Sequence, residues 1–123
     1  MRKLTLIALL LVLVTACGHK DKGFVPDRLL NEKEMIDIMT DVQIIEADIN
    51  YKKSQDREQG QPQKDYSQMA RSYYDQLFEH YDITDSIFTQ NIRYYTERPE
   101  VLEKIMDSVM QRLMKEQTNP SLP

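Results

Sequence analysis

The 123-residue chain has one cysteine, three glycines, two histidines and no tryptophan. A single thiol excludes an internal disulfide. None of Gly18, Gly23 and Gly60 forms a phosphate-cradling loop, and the stretches from Leu29 to Tyr51 and from Tyr66 to Gln117 hold no glycine. His19 lies near the start and His80 stands alone, with no HExxH, no paired zinc spacing and no serine in a nucleophile-elbow context. Catalysis, a cofactor and a small-molecule substrate are therefore not expected. Positive charge is short as well: 16 Lys and Arg stand against 20 Asp and Glu, a net charge of −4. Nucleic acid needs a concentrated positive surface and is not an expected partner.

Long apolar runs are also missing, with one exception. Arg2 and Lys3 precede a weakly polar-to-apolar run from Leu4 to Ala16, and a small residue then stands before Cys17. That is the three-part layout of a secretory signal. At ~1.5 Å per residue the run reaches roughly 20 Å, short of a hydrocarbon core of about 30 Å, so residues 1–16 are read as a cleaved signal peptide. The cleavage region Val14-Thr15-Ala16-Cys17 resembles the lipobox of bacterial lipoproteins, which implies lipidation at Cys17. Acylation would also remove the liability of a free thiol in an exported protein. The alternative is an ordinary signal with a coincidental cysteine. Gly18 follows Cys17, where Asp would favour inner-membrane retention in enterobacterial sorting. The expectation is an envelope protein held by lipid, at the outer membrane more than the inner one and facing the periplasm more than the cell surface. Loss of Arg2 and Lys3 with the signal lowers the net charge from −4 to −6.

Residues 17–28 then read as a lipidated cysteine with a flexible tether, 29–118 as a helical domain and 119–123 as a disordered tail. Few breakers and abundant Glu, Gln, Lys, Leu and Met make the body all-α. The first helix should begin at Asn31, a residue that can cap, with Glu34 completing a capping box and Leu30 stapling onto Met35. Met35, Ile38, Val42, Ile45 and Ile49 form its stripe. Residues 52–65 contain no apolar side chain, and Gly60-Gln61-Pro62 breaks the chain there, so a fraying helix end and a solvated loop are expected. A second helix runs from about Asp65 to Tyr81. Thr84 caps a third, and Pro99 opens a fourth with a stripe of Leu102, Ile105, Met106, Val109 and Leu113. Short connections make a small antiparallel bundle of about four helices the default architecture.

Eight of the ten aromatic residues lie between Tyr66 and Tyr95. Tyr73, Tyr74, Tyr81, Tyr94 and Tyr95 serve either a core with hydroxyls at its rim or a surface that binds a protein or a glycan. Asn91 falls on the inward face of the third helix and needs partners, a tyrosine hydroxyl or a helix-end carbonyl. Glu46 flanks the first stripe, with Arg93 or Arg98 as candidate partners. Met106, Met110 and Met114 could present thioethers to copper(I), but such a stripe is more often core or a partner-facing seam, and no metal is expected. Glu34, Asp37, Asp41 and Asp48 read as a solvated acidic face.

The segments "LLNEKEMIDIMTDVQIIEA" and "YYDQLFEHYDITDSIFTQNIRYYTERPEVLEKIMDSVMQRL", joined by a polar insert, resemble the domain of unknown function 4296 family, small lipoproteins of Bacteroidota. The elements that carry the likeness are Met35, Asp41 to Ala47, Tyr81-x-Ile83-Thr84, Phe88, Tyr94-Tyr95 and Pro99. It implies no activity. Tyr81-Asp82-Ile83-Thr84 followed by Phe88 also resembles helical pieces of periplasmic parvulin-type chaperones. The leading expectation is a non-enzymatic, lipid-anchored module that binds an envelope protein or has a structural role. A chaperone-like holdase is the alternative, and a small hydrolase would need a pocket converging on His80 or Glu46.

Overall fold

The computed structural model describes residues 23–118 apart from Gln63. Cys17, the expected signal, the start of the expected tether and the 119–123 tail lie outside the described residues. Among the described residues the fold is all-helical, with four helices and no strand: α1 (Glu32–Glu58), α2 (Ser67–His80), α3 (Asp85–Thr96) and α4 (Pro99–Thr118). None of these helices is long and apolar enough to cross a membrane.

Local chemistry sets the helix ends. The Asn31 side chain accepts the Glu34 N–H at 2.9 Å, and the Glu34 carboxylate accepts the Asn31 N–H at 2.8 Å. This reciprocal box satisfies two otherwise orphaned donors. Leu30 and Met35, on either side of it, are both buried. Thr84 accepts the Ile87 N–H at 3.2 Å and starts α3. Pro99 occupies the first turn of α4, where its missing N–H costs nothing.

α1 and α2 both stop in a Schellman motif. After α1, the Gly60 N–H reaches the Arg57 carbonyl at 3.1 Å and the Gln61 N–H reaches that of Asp56 at 2.9 Å. Gly60 has a φ of 65°, the left-handed conformation the motif needs. After α2 the same bonds run from Asp82 to Glu79 and from Ile83 to Phe78, with Asp82 at φ 51°. Aspartate enters this region more readily than most residues, so no glycine is needed there. α1 itself runs seven residues past Tyr51, so much of the polar stretch is helix and only its end is loop.

Leu30, Met35, Ile38, Leu77, Phe78, Tyr95, Ile105 and Val109 form one buried cluster. α1 packs most extensively on α4 and next on α2, while α3 packs on α4. Burial of each large aliphatic side chain contributes about 1.5–3 kcal/mol relative to exposure. Thr40 is also buried, on the side of α1 opposite the Met35–Ile49 stripe, with its hydroxyl bonded to the Ile36 carbonyl at 2.7 Å. The N-terminal half of α1 is therefore covered on more than one side, which a single stripe does not anticipate.

Of the expected tether, residues 17–28, the part from Gly23 onward lies within the described residues. From Gly23 onward the chain lies docked on the body. The Phe24 N–H donates to the Glu97 carboxylate at 3.3 Å, and the Arg93 guanidinium stands 4.3 Å over the Phe24 ring. Asp27 and Gln90 exchange two bonds, at 2.8 and 2.9 Å. Arg28 donates to the Asp82 carbonyl at 2.9 Å, and Pro26 is buried. Side-chain amides and carboxylates of α3 and its C-terminal cap bind this strap. The polar composition of 18–28, taken alone, suggests only solvation.

Candidate functional site

Two groups of polar side chains stand out, a ladder along the α1–α2 seam and a clamp under the strap. In the ladder, the Tyr81 hydroxyl donates to Asp41 and the Tyr74 hydroxyl to Glu46, both at 2.5 Å. Lys52 donates to Asp48 at 2.6 Å and to the Tyr73 hydroxyl at 2.7 Å. Tyr66, at the start of α2, donates to Asp56. As Tyr66, Tyr74 and Tyr81 rise along α2, their partners Asp56, Glu46 and Asp41 descend along α1, so the two helices run antiparallel. Glu46 therefore meets Tyr74, not Arg93 or Arg98, because α2 and not α3 lies along its part of α1.

The electrostatics follow the geometry. Burial and the Glu46 carboxylate push the Tyr74 phenol up to about 12. Burial, followed by the Asp41 bond, pushes Tyr81 up further. Hydrogen bonds from Lys33 and Arg112 hold Asp37 below the usual carboxylate range. The Lys52 bond does the same for Asp48, and the Asp48 carboxylate in turn raises Lys52 to about 12. Tyr66, then Lys64, lowers Asp56. The acidic set on α1 is thus not simply a solvated face: Glu34 closes the capping box, Asp37 pairs with Lys33 and Arg112, Asp41 with Tyr81, and Asp48 with Lys52.

In the clamp, the fully buried Asn91 carboxamide accepts the Leu30 N–H at 2.8 Å and donates to the Arg28 and Ile87 carbonyls, both at 2.8 Å. The Tyr95 hydroxyl donates to the Leu30 carbonyl at 2.7 Å. Asn91 thus binds backbone carbonyls and an N–H, and no tyrosine hydroxyl. Tyr94 lies edge-on to Tyr95, with the Arg98 guanidinium 3.6 Å from its centroid. Among the described residues no buried side-chain nitrogen or oxygen lacks a partner.

Two clefts open beside the ladder. One, of about 710 Å³, lies at the C-terminal end of α1 and includes Glu46, Lys53, Asp56, Arg57, Lys64 and Tyr66 in its lining. The other, of about 420 Å³, is bounded by Ile44, Ile45, Tyr73, Leu77 and His80 with Asp41 and Asp48 at its edge. Glu46 and His80 line different clefts and do not converge. Among the described residues no group of three or more His, Cys, Asp or Glu is arranged to hold a metal. Met110 and Met114 are more than half exposed, and Met106 is half-buried.

A family model described as a domain of unknown function (DUF4296) matches residues 26–119, which takes in all four helices. The chain belongs to this family. No match was found among curated proteins or among solved structures. Within this DUF4296 chain, sequence reasoning singled out Glu46, Tyr73, Tyr74, Tyr81, Asn91, Tyr94 and Tyr95. The structure brings the first four into the ladder and Asn91 and Tyr95 into the clamp. Tyr94 stacks beside the clamp without joining it. The partners Asp41, Asp48, Lys52, Asp56 and Tyr66 were not assigned to a site. Their signal was present: acids descending along one helix and tyrosines ascending along the next match only if the two helices are antiparallel.

Proposed function

We propose that this DUF4296 protein is a lipid-anchored envelope protein, acylated on Cys17, whose helical body works by contact as a protein-binding or structural module and not as a catalyst. One observation carries the non-catalytic part of the reading. The polar side chains most suited to chemistry serve as internal fastenings, Glu46 to Tyr74, Asp41 to Tyr81 and Asn91 to the strap. The exposed His80 lies 4.9 Å edge-on from Tyr81, on a cleft it shares with Ile44, Ile45, Leu77, Tyr73 and Gln76, where the acids Asp41 and Asp48 are bonded to Tyr81 and Lys52. Support for contact comes from the large apolar side chains left in water, with Ile44, Tyr51, Met110 and Met114 all more than 40 % exposed. The envelope address rests on Arg2 to Cys17, with the outer membrane and its periplasmic side as the preferred location.

Cell fractionation with mass measurement tests the anchor. The parent chain is expected in the membrane fraction with acyl mass on Cys17, and Cys17→Ala in the soluble fraction. A Cys17→Ala chain that still sediments with membranes overturns the reading. Chemical crosslinking in intact cells then tests contact, and recovery of the protein without a reproducible envelope partner counts against it. The cleft formed by Ile44, Ile45, Tyr73 and Leu77 favours a second reading, a holdase for unfolded envelope proteins. Suppression of client aggregation by the parent, lost in Ile44→Asp, would favour that alternative.

A further inference from the structure

We propose that α3 and its C-terminal cap form a groove for an extended peptide, filled in cis by residues 23–27 of this chain and open in trans to a glycine–aromatic–x–Pro–Asp segment of a protein partner that displaces them. The inference rests on the reading of the body as a protein-binding module and deepens it to the chemistry of the partner.

Exposure alternates along the strap. Phe24 is half-buried and Pro26 buried, while Val25 is 73 % exposed and Asp27 is exposed. That is the pattern of an extended segment lying on a surface. Side chains of the groove bind its main chain: the Glu97 carboxylate accepts the Phe24 N–H at 3.3 Å, and the Gln90 carboxamide accepts the Asp27 N–H at 2.8 Å. Bonds to the main chain hold any sequence, and specificity comes from what the side chains meet. Here the Arg93 guanidinium stands 4.3 Å over the Phe24 ring, and Gln90 donates to the Asp27 carboxylate at 2.9 Å. A Cβ on Gly23 would lie 3.2 Å from the Arg98 guanidinium, so the first position favours glycine. Pro26 fills the buried position, and its fixed φ lowers the entropy lost on docking. Val25 is left unread.

These five residues are held loosely and the chain beyond them tightly. The hydrogen bonds to Phe24 and Asp27 are all exposed, and among the described residues no bond from main chain to main chain ties 23–27 to the body. From Arg28 onward the fully buried Asn91 takes over, bonded to the Arg28 carbonyl and the Leu30 N–H. Segments with exposed hydrogen bonds and few buried apolar contacts are the first to open. Opening therefore stops at Arg28, α1 keeps its cap, and Gln90, Arg93 and Glu97 are offered to another segment. The attached strap competes at an effective concentration on the order of millimolar, so a free peptide binds well only once the strap is weakened.

The test uses the full-length chain and, as probe, a fluorescein-labelled GFVPD peptide amidated at its C-terminus. Phe24→Ala with Asp27→Ala weakens the strap and leaves α3 intact, with circular dichroism as the check. Fluorescence anisotropy is expected to show the probe binding this variant about ten-fold more tightly than the parent. Adding Gln90→Ala and Glu97→Ala should abolish binding, as should alanine in place of the proline and aspartate of the probe. Amide exchange in the parent needs no variant: the Phe24 and Asp27 N–H groups should exchange much faster than that of Leu30. Equal protection of all three overturns the detachable strap. Binding that is equal in parent and weakened strap, or that survives loss of Gln90 and Glu97, lies elsewhere and overturns the groove. No probe binding to the weakened strap overturns the groove alone, whereas crosslinking in cells that recovers no partner overturns the protein-binding reading and this assignment with it.

Discussion

The two seams that hold α1 in place are built differently. Against α4 and the strap, α1 buries Met35 and Ile38 beside Ile105 and Val109, and Asn91 and Tyr95 bind the Leu30 backbone out of reach of water. Against α2, toward its C-terminal end, α1 offers Ile49 as its buried apolar residue and otherwise relies on half-exposed tyrosine, lysine and carboxylate pairs. A buried amide that loses its partners leaves orphaned groups that cost about 1–3 kcal/mol each, whereas exposed polar pairs contribute about 0–1 kcal/mol. One end of the molecule is thus closed firmly and the other can open locally at lower free energy, as binding regions generally do.

The most severe test of this contrast is to break the firm seam. Ile105→Ala leaves a cavity at a fully buried site and is expected to cost about 3–4 kcal/mol in urea unfolding. Asn91→Ala strands the Leu30 N–H and the Arg28 carbonyl, at a cost of about 3 kcal/mol. If Asn91→Ala costs no more than a surface substitution, the clamp does not hold the strap.

Alkaline pH acts on the ladder instead. The folded state raises the Tyr74 and Tyr81 phenols, so it favours their neutral forms. Their stabilisation is complete below the ordinary tyrosine value near 10; that of Tyr74 is lost as the pH rises through about 12, and that of Tyr81 at higher pH still. A loss on the order of 2 kcal/mol is expected across that window, followed by thermal melts and tyrosinate absorbance. Ionisation of all tyrosines near 10 without loss of stability would contradict it. The carboxylates act in the opposite direction. Asp37, held low by Lys33 and Arg112, stabilises above the ordinary carboxylate value and ceases to do so as the pH falls below it.

Single hydroxyl deletions give the smallest effects and resolve the ladder rung by rung. Tyr81→Phe, next to the core, is expected to cost about 1 kcal/mol. Tyr66→Phe, at the open end, should leave the melting midpoint within experimental scatter. Equal effects at both rungs would mean that the seam is uniform from end to end.

Much of this fold was legible before any coordinates. Asn31 and Glu34, Thr84, Gly60 and Pro99 mark helix ends through interactions within a few residues, and the structure places ends close to all four. The stop after α2 was legible as a turn, but not as an aspartate in the left-handed position, since many residue types can end a helix once the next segment is packed. The docking of residues 23–30 was not legible because their partners, Glu97, Gln90 and Asn91, lie more than sixty residues away. Glu46 meets Tyr74 in place of Arg93 or Arg98 because local spacing does not say which helix lies along α1.

The helices, the inward stripes and the lone cysteine behind an apolar run are all written in local spacing and composition. Tertiary structure decided which tyrosine meets which carboxylate, that Asn91 holds the chain entering α1, and where that chain leaves the body. Those outcomes depend on how rigid helices stack, and one antiparallel register brings Tyr74 to Glu46 while another would leave both in water. The long-range choice is made by burial of Ile38, Ile105 and Val109, and the polar groups then pair with whatever that packing brings within reach.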